Sequence, residues 1–336
     1  MTFDSIQLDH GSGGRATHEL IRELFTEALA NPFLAEMNDS ALLPALSTPL
    51  AMTTDCYVVD PIIFPGGDIG SLAVHGTIND LAMIGARPFY LTAGFVLEEG
   101  LPMTTLRRVV HSMAEAARNA EVKVVAGDTK VVPRGKADKL FITTAGVGGV
   151  PPERRLGGQY AQPGDAVVIN GTIGDHGMAI LCKREGLAFD NEIRSDAASL
   201  HTLVETMLTA CPTIRVLRDP TRGGVATSLN EIAQQSGVGV LLEEPAVPIR
   251  RDVAGACEIL GLDPLYVANE GKVLACVPAQ SVDAVLTAMR THPLAQQACR
   301  IGEIIAGEPG RVVLHTHIGG HRLVTMLRGE QLPRIC

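Results

Sequence analysis

The chain has 336 residues, 46% of them hydrophobic, with no tryptophan, 4% aromatic residues and a formal net charge of -9. That length allows about two domains, packed mainly by aliphatic side chains. An acidic chain without a basic block is a poor partner for nucleic acid or an anionic membrane, and any nucleotide site in it needs local cations and a metal.

In chain order, the first helical periodicity covers about 15–29, with Leu20, Ile21, Leu24, Phe25 and Leu29 on one stripe. It follows the glycine-rich run His10-Gly11-Ser12-Gly13-Gly14. A strand at 50–54 ends at Asp55, a helix spans 69–84, a second strand covers 89–97 and a helix follows near 104–120. Short β-rich runs at 122–126 and 140–147 close the first half. The stretch 151–164, rich in proline, glycine and arginine, is the boundary between the halves.

The second half opens with a strand at 166–170, then a glycine-rich loop and a helix from about His176. Helices near 198–209, 221–235, 252–260 and 282–290 alternate with strands at 238–242 and 273–277, and short strands recur after Arg300. The mixture is α/β or α+β, without a repeat of solenoid length. Seven cysteines show no close pair spacing of a structural zinc site. Most of them sit in apolar surroundings and read as buried, inert thiols. The first residues contain no basic region followed by an apolar stretch and cleavage site, and no apolar run is long enough to span a bilayer. These features point to a reducing cytoplasm.

Four carboxylates recur at predicted strand ends and helix starts: Asp39, Asp55, Asp80 and Asp128. Each alone reads as a cap or turn residue. As a group they would repel one another unless a cation sat between them, and a magnesium–nucleotide site would use them. Gly13 and Gly14 offer free N–H groups at a helix start, suited to phosphate, although no Lys-Ser or Lys-Thr follows as in a Walker A loop. The expected turn Gly127-Asp128-Thr129-Lys130 joins a metal-type carboxylate to a hydroxyl and an ammonium. Lys130 is either a phosphate partner or base, or a solvated surface lysine. Arg218-Asp219-Pro220-Thr221-Arg222-Gly223-Gly224 is either a phosphate- or tail-binding segment or a plain helix start. Glu270, just before a strand, is a general base only if it points into a cleft. His315, His317 and His321 share a strand face, but with no acidic or thiol neighbour in sequence they do not make a zinc site. The sequence ends in Pro333-Arg334-Ile335-Cys336, an extended segment because of its proline. A reactive thiol on a mobile tail suits a group carrier, and a frayed end is the equal alternative.

Taken together, the run 64–88 with Gly66-Gly67-Asp68 and Asn79-Asp80, then Gly127-Asp128-Thr129-Lys130-Val131-Val132, Arg218-Asp219-Pro220-Thr221-Arg222 and Pro333-Arg334-Ile335-Cys336, resembles the HypE family of hydrogenase maturation proteins. The resemblance covers essentially the whole chain. The middle motifs alone indicate the wider superfamily of aminoimidazole ribonucleotide synthetase, selenophosphate synthetase and thiamine-monophosphate kinase, and the terminal four residues are the specific part.

The resemblance implies a two-domain PurM-type fold. An ATP-binding and dimerisation domain would span 1–152, an α/β domain 153–325 and a mobile tail 326–336. The N-terminal mixed sheet would form a barrel shared by a homodimer, with ATP near the interface. It implies that HypF loads a carbamoyl group onto Cys336, that ATP drives its dehydration to a thiocyanate, and that the cyano group passes to iron on a HypC–HypD scaffold. Magnesium would be held by Asp55, Asp80 and Asp128, with Asp39. The nucleotide would touch Gly13, Gly14, Asp55, Asn79, Asp80, Gly127, Asp128, Thr129 and Arg222. Glu270 and Lys130 would take the protons. Arg334 would orient Cys336 and offset the terminal carboxylate, which is expected to raise the thiol pKa. A selenophosphate synthetase would carry a reactive cysteine in its glycine-rich N-terminal segment, and residues 9–17 contain none. A non-enzymatic scaffold would have no need of the carboxylate motifs.

Overall fold

Residues 69–83 are apolar nearly all round, and a helix of that kind has to be buried on several sides. In the computed structural model, which describes all residues except 1–3, 39, 46, 188, 190, 328, 330, 331 and 333, this segment lies between a sheet and two other helices. Among the described residues there are nine α-helices: α1 (Arg15–Leu20), α2 (Pro32–Ala35), α3 (Ile69–Met83), α4 (Met103–Asn119), α5 (Asp175–Glu185), α6 (His201–Ala210), α7 (Gly224–Ser236), α8 (Arg251–Leu260) and α9 (Val282–Thr291). The periodic segment 15–29 starts as α1 and continues through a π-helical stretch, Ile21–Thr26.

The first sheet comprises β1 (Leu50–Tyr57), β4 (Arg87–Glu98), β5 (Lys123–Val132) and β6 (Leu140–Gly149), in the order β1-β6-β4-β5; a small hairpin pairs β2 (Ile63–Phe64) with β3 (Gly67–Asp68). Only β4 and β5 run parallel. Gly127-Asp128-Thr129-Lys130, expected as a turn, lies inside β5 paired with Ala93–Val96. Cross-strand pairing there overrides the turn preference of Gly-Asp. α3 and α4 cover one face of this sheet. The other face is open: Met52 is 70% exposed and Leu50 62%. Among the described residues the sheet ends at β1 and β5 and is not closed.

α3 begins at a capping box in which the Asp68 carboxylate accepts from the Gly70 and Ser71 N–H groups at 2.9 and 3.1 Å. Gly70 lets α4 approach closely, since a Cβ there would stand 2.1 Å from the Val109 carbonyl oxygen. The C-terminal end of α3, Ala82 and Met83, packs with Leu200 and Leu203 from the second half.

The second sheet has seven strands: β7 (Ala166–Ile169), β8 (Val216–Arg218), β9 (Gly239–Glu243), β10 (Leu274–Val277), β11 (Cys299–Ile305), β12 (Arg311–His315) and β13 (His321–Val324), ordered β13-β12-β9-β11-β7-β10-β8. Helices cover both faces, α7 on one and α6 with α9 on the other. β7 and β10 are buried at every position, which explains their unbroken apolar sequences. Among the described residues no helix is long and apolar enough to cross a membrane.

The three histidines do not share one strand face: His315 ends β12, His317 lies in the following turn and His321 opens β13, and two of them find acidic neighbours through tertiary pairing. His315 Nδ1 lies 2.8 Å from Glu243 and His317 Nδ1 2.9 Å from Glu244. These contacts are histidine–carboxylate pairs and not a ligand cage: among the described residues no group of three or more His, Cys, Asp or Glu is placed to hold a metal ion.

Candidate functional site

A small pocket of about 50 Å³ forms where α3, the end of β1 and two loops of the second half meet; Asp55, Asp80, Asp219, Arg222, Glu270 and Cys336 line it. Asp55 comes from β1, and its carboxylate accepts from the Tyr57 hydroxyl at 3.1 Å. That hydroxyl also contacts Thr77 at 3.2 Å. Gly76 makes room for it, because a Cβ at 76 would stand 2.3 Å from Tyr57 Oη. Asp80, one helical turn past Gly76, accepts from Thr53 Oγ1 at 2.6 Å.

Glu270 enters from the second half and is 3% exposed. Its N–H donates to Asp196 Oδ1 at 3.1 Å, and Asp196 forms an ion pair with Lys272 at 3.2 Å. Gly271 is required here, since a Cβ would stand 1.8 Å from the Asp196 carbonyl oxygen. Burial, and then the charges of Asp219, Asp196, Asp55 and Asp80, hold the Glu270 carboxyl well above the usual carboxylate range. Asp219 is pushed up to about 7, chiefly by burial and then by Asp80. Burial, followed by the Asp55 charge, raises Asp80 against the opposing Thr53 hydrogen bond. The pocket is thus overloaded with acidic groups relative to its one lining cation, Arg222.

The tail ends in this pocket. The sequence suggested a mobile segment; in the structure its last residues are seated by a single β-bridge and a few hydrogen bonds. Ile335 bridges antiparallel to Val59, Val58 N–H donates to the Cys336 carbonyl and Asp60 N–H to the Arg334 carbonyl, both at 3.2 Å. Arg184 Nη2 donates to the same Arg334 carbonyl at 2.8 Å. Ile335 is 3% exposed. Burial raises the Cys336 thiol pKa, Glu270 adds to the rise and Arg222 opposes it. This replaces the expectation that the terminal carboxylate raises the thiol and Arg334 offsets it. The Arg334 guanidinium turns to Asp138 at 2.9 Å and Asp60 at 3.8 Å instead.

The remaining expected site residues divide. Asn79 is buried and fully engaged: its amide N–H groups donate to the Ala198 and Glu270 carbonyls at 3.0 Å, and its oxygen accepts from Leu200 N–H at 2.8 Å. It clasps α3 to the second half and has no donor left for a nucleotide. Asp128 and Lys130 lie on β5, paired with each other at 3.5 Å and largely exposed. The register runs Asp55–Thr144–Ala93–Gly127 and Cys56–Thr143–Gly94–Asp128. Asp55 and Asp128 therefore stand on opposite faces of the sheet, three strand spacings or roughly 14 Å apart. One magnesium cannot take both from a single chain. Lys130 is likewise remote from Cys336 within the chain. Asp39 and Pro333 lie outside the described residues.

Gly127, Asp128 and Thr129 rim a second cavity of about 420 Å³, lined by Phe25, Phe33, Leu34 and Phe95. Thr129 is buried and its N–H turns to Asp128 Oδ1 at 2.8 Å. The glycine-rich segment lies along the same strand: a Cβ at Gly11 would stand 2.6 Å from Val131 N. Gly13 and Gly14 precede α1, their N–H groups turned to Thr17 Oγ1 at 3.0 Å and Ser12 Oγ at 3.4 Å. Neither lines the cavity.

Sequence reasoning missed Tyr57, Arg184 and His176, and read Asp219 only as part of a segment that is either phosphate- or tail-binding or a plain helix start. The signal for His176 was a glycine-flanked histidine, Gly174-Asp175-His176-Gly177, at a helix N-terminus.

Comparison with known proteins fits this geometry. Residues 37–150 match the N-terminal domain of the family AIR synthase related protein, and residues 162–315 its C-terminal domain. The carbamoyl dehydratase HypE of Azotobacter vinelandii is 57% identical over 332 residues, 99% of this chain and 97% of that protein. A crystal structure of the hydrogenase maturation protein HypE in complex with ATP superposes with a TM-score of 0.95 at 54% identity, over 98% of this chain and 99% of that one. HypE in a HypE–HypF complex superposes with a TM-score of 0.80 at 46% identity, over 92% and 99%.

Proposed function

The chain belongs to the HypE family, and from that membership we propose that it is an ATP-dependent carbamoyl dehydratase that acts on the thiol of its own Cys336. The observation that carries the reading is the seating of Cys336 beside Glu270 in an acidic pocket. HypF, seen with a relative, is the proposed donor of the carbamoyl group, and a HypC–HypD complex the proposed acceptor of the cyano group.

The chemistry needs three things. The amide oxygen of the S-carboxamide is a poor leaving group, so the γ-phosphoryl group of ATP is transferred to it and phosphate departs in its place. Two protons leave the nitrogen as the C≡N bond forms, so S-carboxamide and ATP become thiocyanate, ADP and phosphate. A base must stand near that nitrogen. Glu270, whose raised pKa makes its ionised form a stronger base, fills the role. Arg222 faces the developing negative charge on oxygen.

Asp55 and Asp80, two mutually repelling carboxylates lining the pocket, would hold magnesium. Bound there, it would supply charge neutralisation for phosphoryl transfer. The aromatic-lined cavity beside Gly127–Thr129 has the size and lining for the adenine of ATP.

We further propose a homodimer through the open face of the first sheet. Setting edge β5 of one copy beside edge β1 of the other closes a barrel whose inner side is the open face, and brings Asp128 and Lys130 beside the partner's β1 on that inner side.

Cys336→Ala tests the carrier role. It should abolish cyano-group formation while ATP binding and the melting temperature stay unchanged. Product formation at the normal rate in that variant refutes the reading.

A further inference from the structure

His176 is fully buried near the start of α5 and has no part in the chemistry above. Its Nε2 lies 2.8 Å from the Ile335 carbonyl oxygen and its Nδ1 2.8 Å from Ser195 Oγ. Phe64 stands edge-on to the ring, centroids 5.6 Å apart. A carbonyl only accepts, so Nε2 carries the proton. Ser195 then donates its hydroxyl hydrogen to Nδ1, while Ser195 Oγ accepts from Ala197 N–H at 3.1 Å. The tautomer is fixed by this chain of partners, and burial keeps the ring neutral by lowering its pKa.

We propose that His176 is a positioning residue for the reacting sulfur: its Nε2–H fixes the peptide plane that carries Cys336 and so sets where the thiol stands against Glu270 and Arg222. The Ile335 carbonyl belongs to the peptide joining 335 to 336. That unit is planar, so holding its oxygen also holds the nitrogen and Cα of Cys336. Only φ and χ1 of Cys336 then remain to place the sulfur. Val58 N–H and Arg184 grip the flanking carbonyls, but neither grips this plane. A hydrogen bond between neutral groups is modest in net strength, which allows the tail to leave for loading and to return in register.

The importance of this latch for catalysis rests on the dehydratase reading, but its existence does not. The test therefore reads docking alone, on the full-length chain without ATP or carbamoyl donor. The amide nitrogen of Gln reaches the Nε2 position, whereas that of Asn reaches only the Nδ1 position. His176→Asn should raise the rate constant for alkylation of Cys336 by iodoacetamide, read by peptide mass spectrometry, by about three- to tenfold. His176→Gln should stay within about twofold of the parent chain. An unchanged rate in His176→Asn, or an equal rise in both variants, overturns the latch and leaves the dehydratase reading standing. Should His176→Asn melt early, Ser195→Ala, which frees the tautomer, decides instead. A rise of about twofold supports the proposal and no rise overturns it.

Discussion

The Cys336 pocket and the β5 strand edge carry similar residues, an aspartate with a basic partner and glycines close by, yet they differ in physical character. In the pocket, burial and like charge raise the carboxyl pKa values of Asp80, Asp219 and Glu270. At β5, Asp128 and Lys130 meet in water, 71% and 66% exposed, where an ion pair contributes little. The contrast shows that chemistry is prepared only where two halves of a chain close on each other. An exposed strand edge with the same residue types is a component awaiting a partner.

Four perturbations break or sharpen that contrast. Glu270→Gln removes the base while keeping shape, and dehydration at Cys336 should fall by about 10²- to 10⁴-fold with ATP binding retained. Dehydration within about twofold of normal would assign the proton to another group. Next, Asp80→Asn and Asp128→Asn should each be inactive in magnesium-dependent ATP turnover. Mixing the two, with subunit exchange, should restore about a quarter of the activity if each site draws on two copies. No recovery on mixing would confine the site to one chain.

Gly76→Ala pushes a methyl group to 2.3 Å from Tyr57 Oη, so it should lower stability by roughly 1–3 kcal/mol in a thermal melt. An unchanged melt would mean that Tyr57 moves freely. The smallest effect is pH-linked. The Asp219 pKa is raised from 3.8 to about 7, so its neutral form stabilises the fold below pH 4 and that contribution is lost as pH rises through 7. Asp219→Asn should therefore melt higher than the parent at pH 8, with the advantage shrinking towards pH 4. A pH-independent difference would contradict the assigned cause.

Much of this molecule can be read from its sequence. The strands at β7 and β10 announce themselves as unbroken apolar runs, and α3 as an apolar helix opened by Asp68. The carboxylates Asp55, Asp80 and Glu270 stand out in their motifs, and the structure brings all three to one pocket. What the sequence does not carry is sheet order. Asp55 and Asp128 belong to similar-looking strand segments, and only the order β1-β6-β4-β5 reveals that they stand at opposite edges and on opposite faces. Gly127-Asp128 looked like a turn because local preference is visible in sequence and a parallel neighbour is not. Asn79 looked like a nucleotide ligand because its three tertiary partners, Ala198, Leu200 and Glu270, are more than 100 residues away. His176 was hidden for the same reason: its partner is the far end of the chain.

The central claim is that Cys336 carries the group that is transformed. Intact-mass and C-terminal-peptide mass spectrometry, after incubation with HypF, carbamoyl phosphate and ATP, test it directly. The account predicts a carbamoyl group on Cys336 and then, in the presence of ATP, the loss of one water from the same residue. Carbamoylation at another side chain, or a Cys336 adduct that persists unchanged with ATP and magnesium, would contradict it.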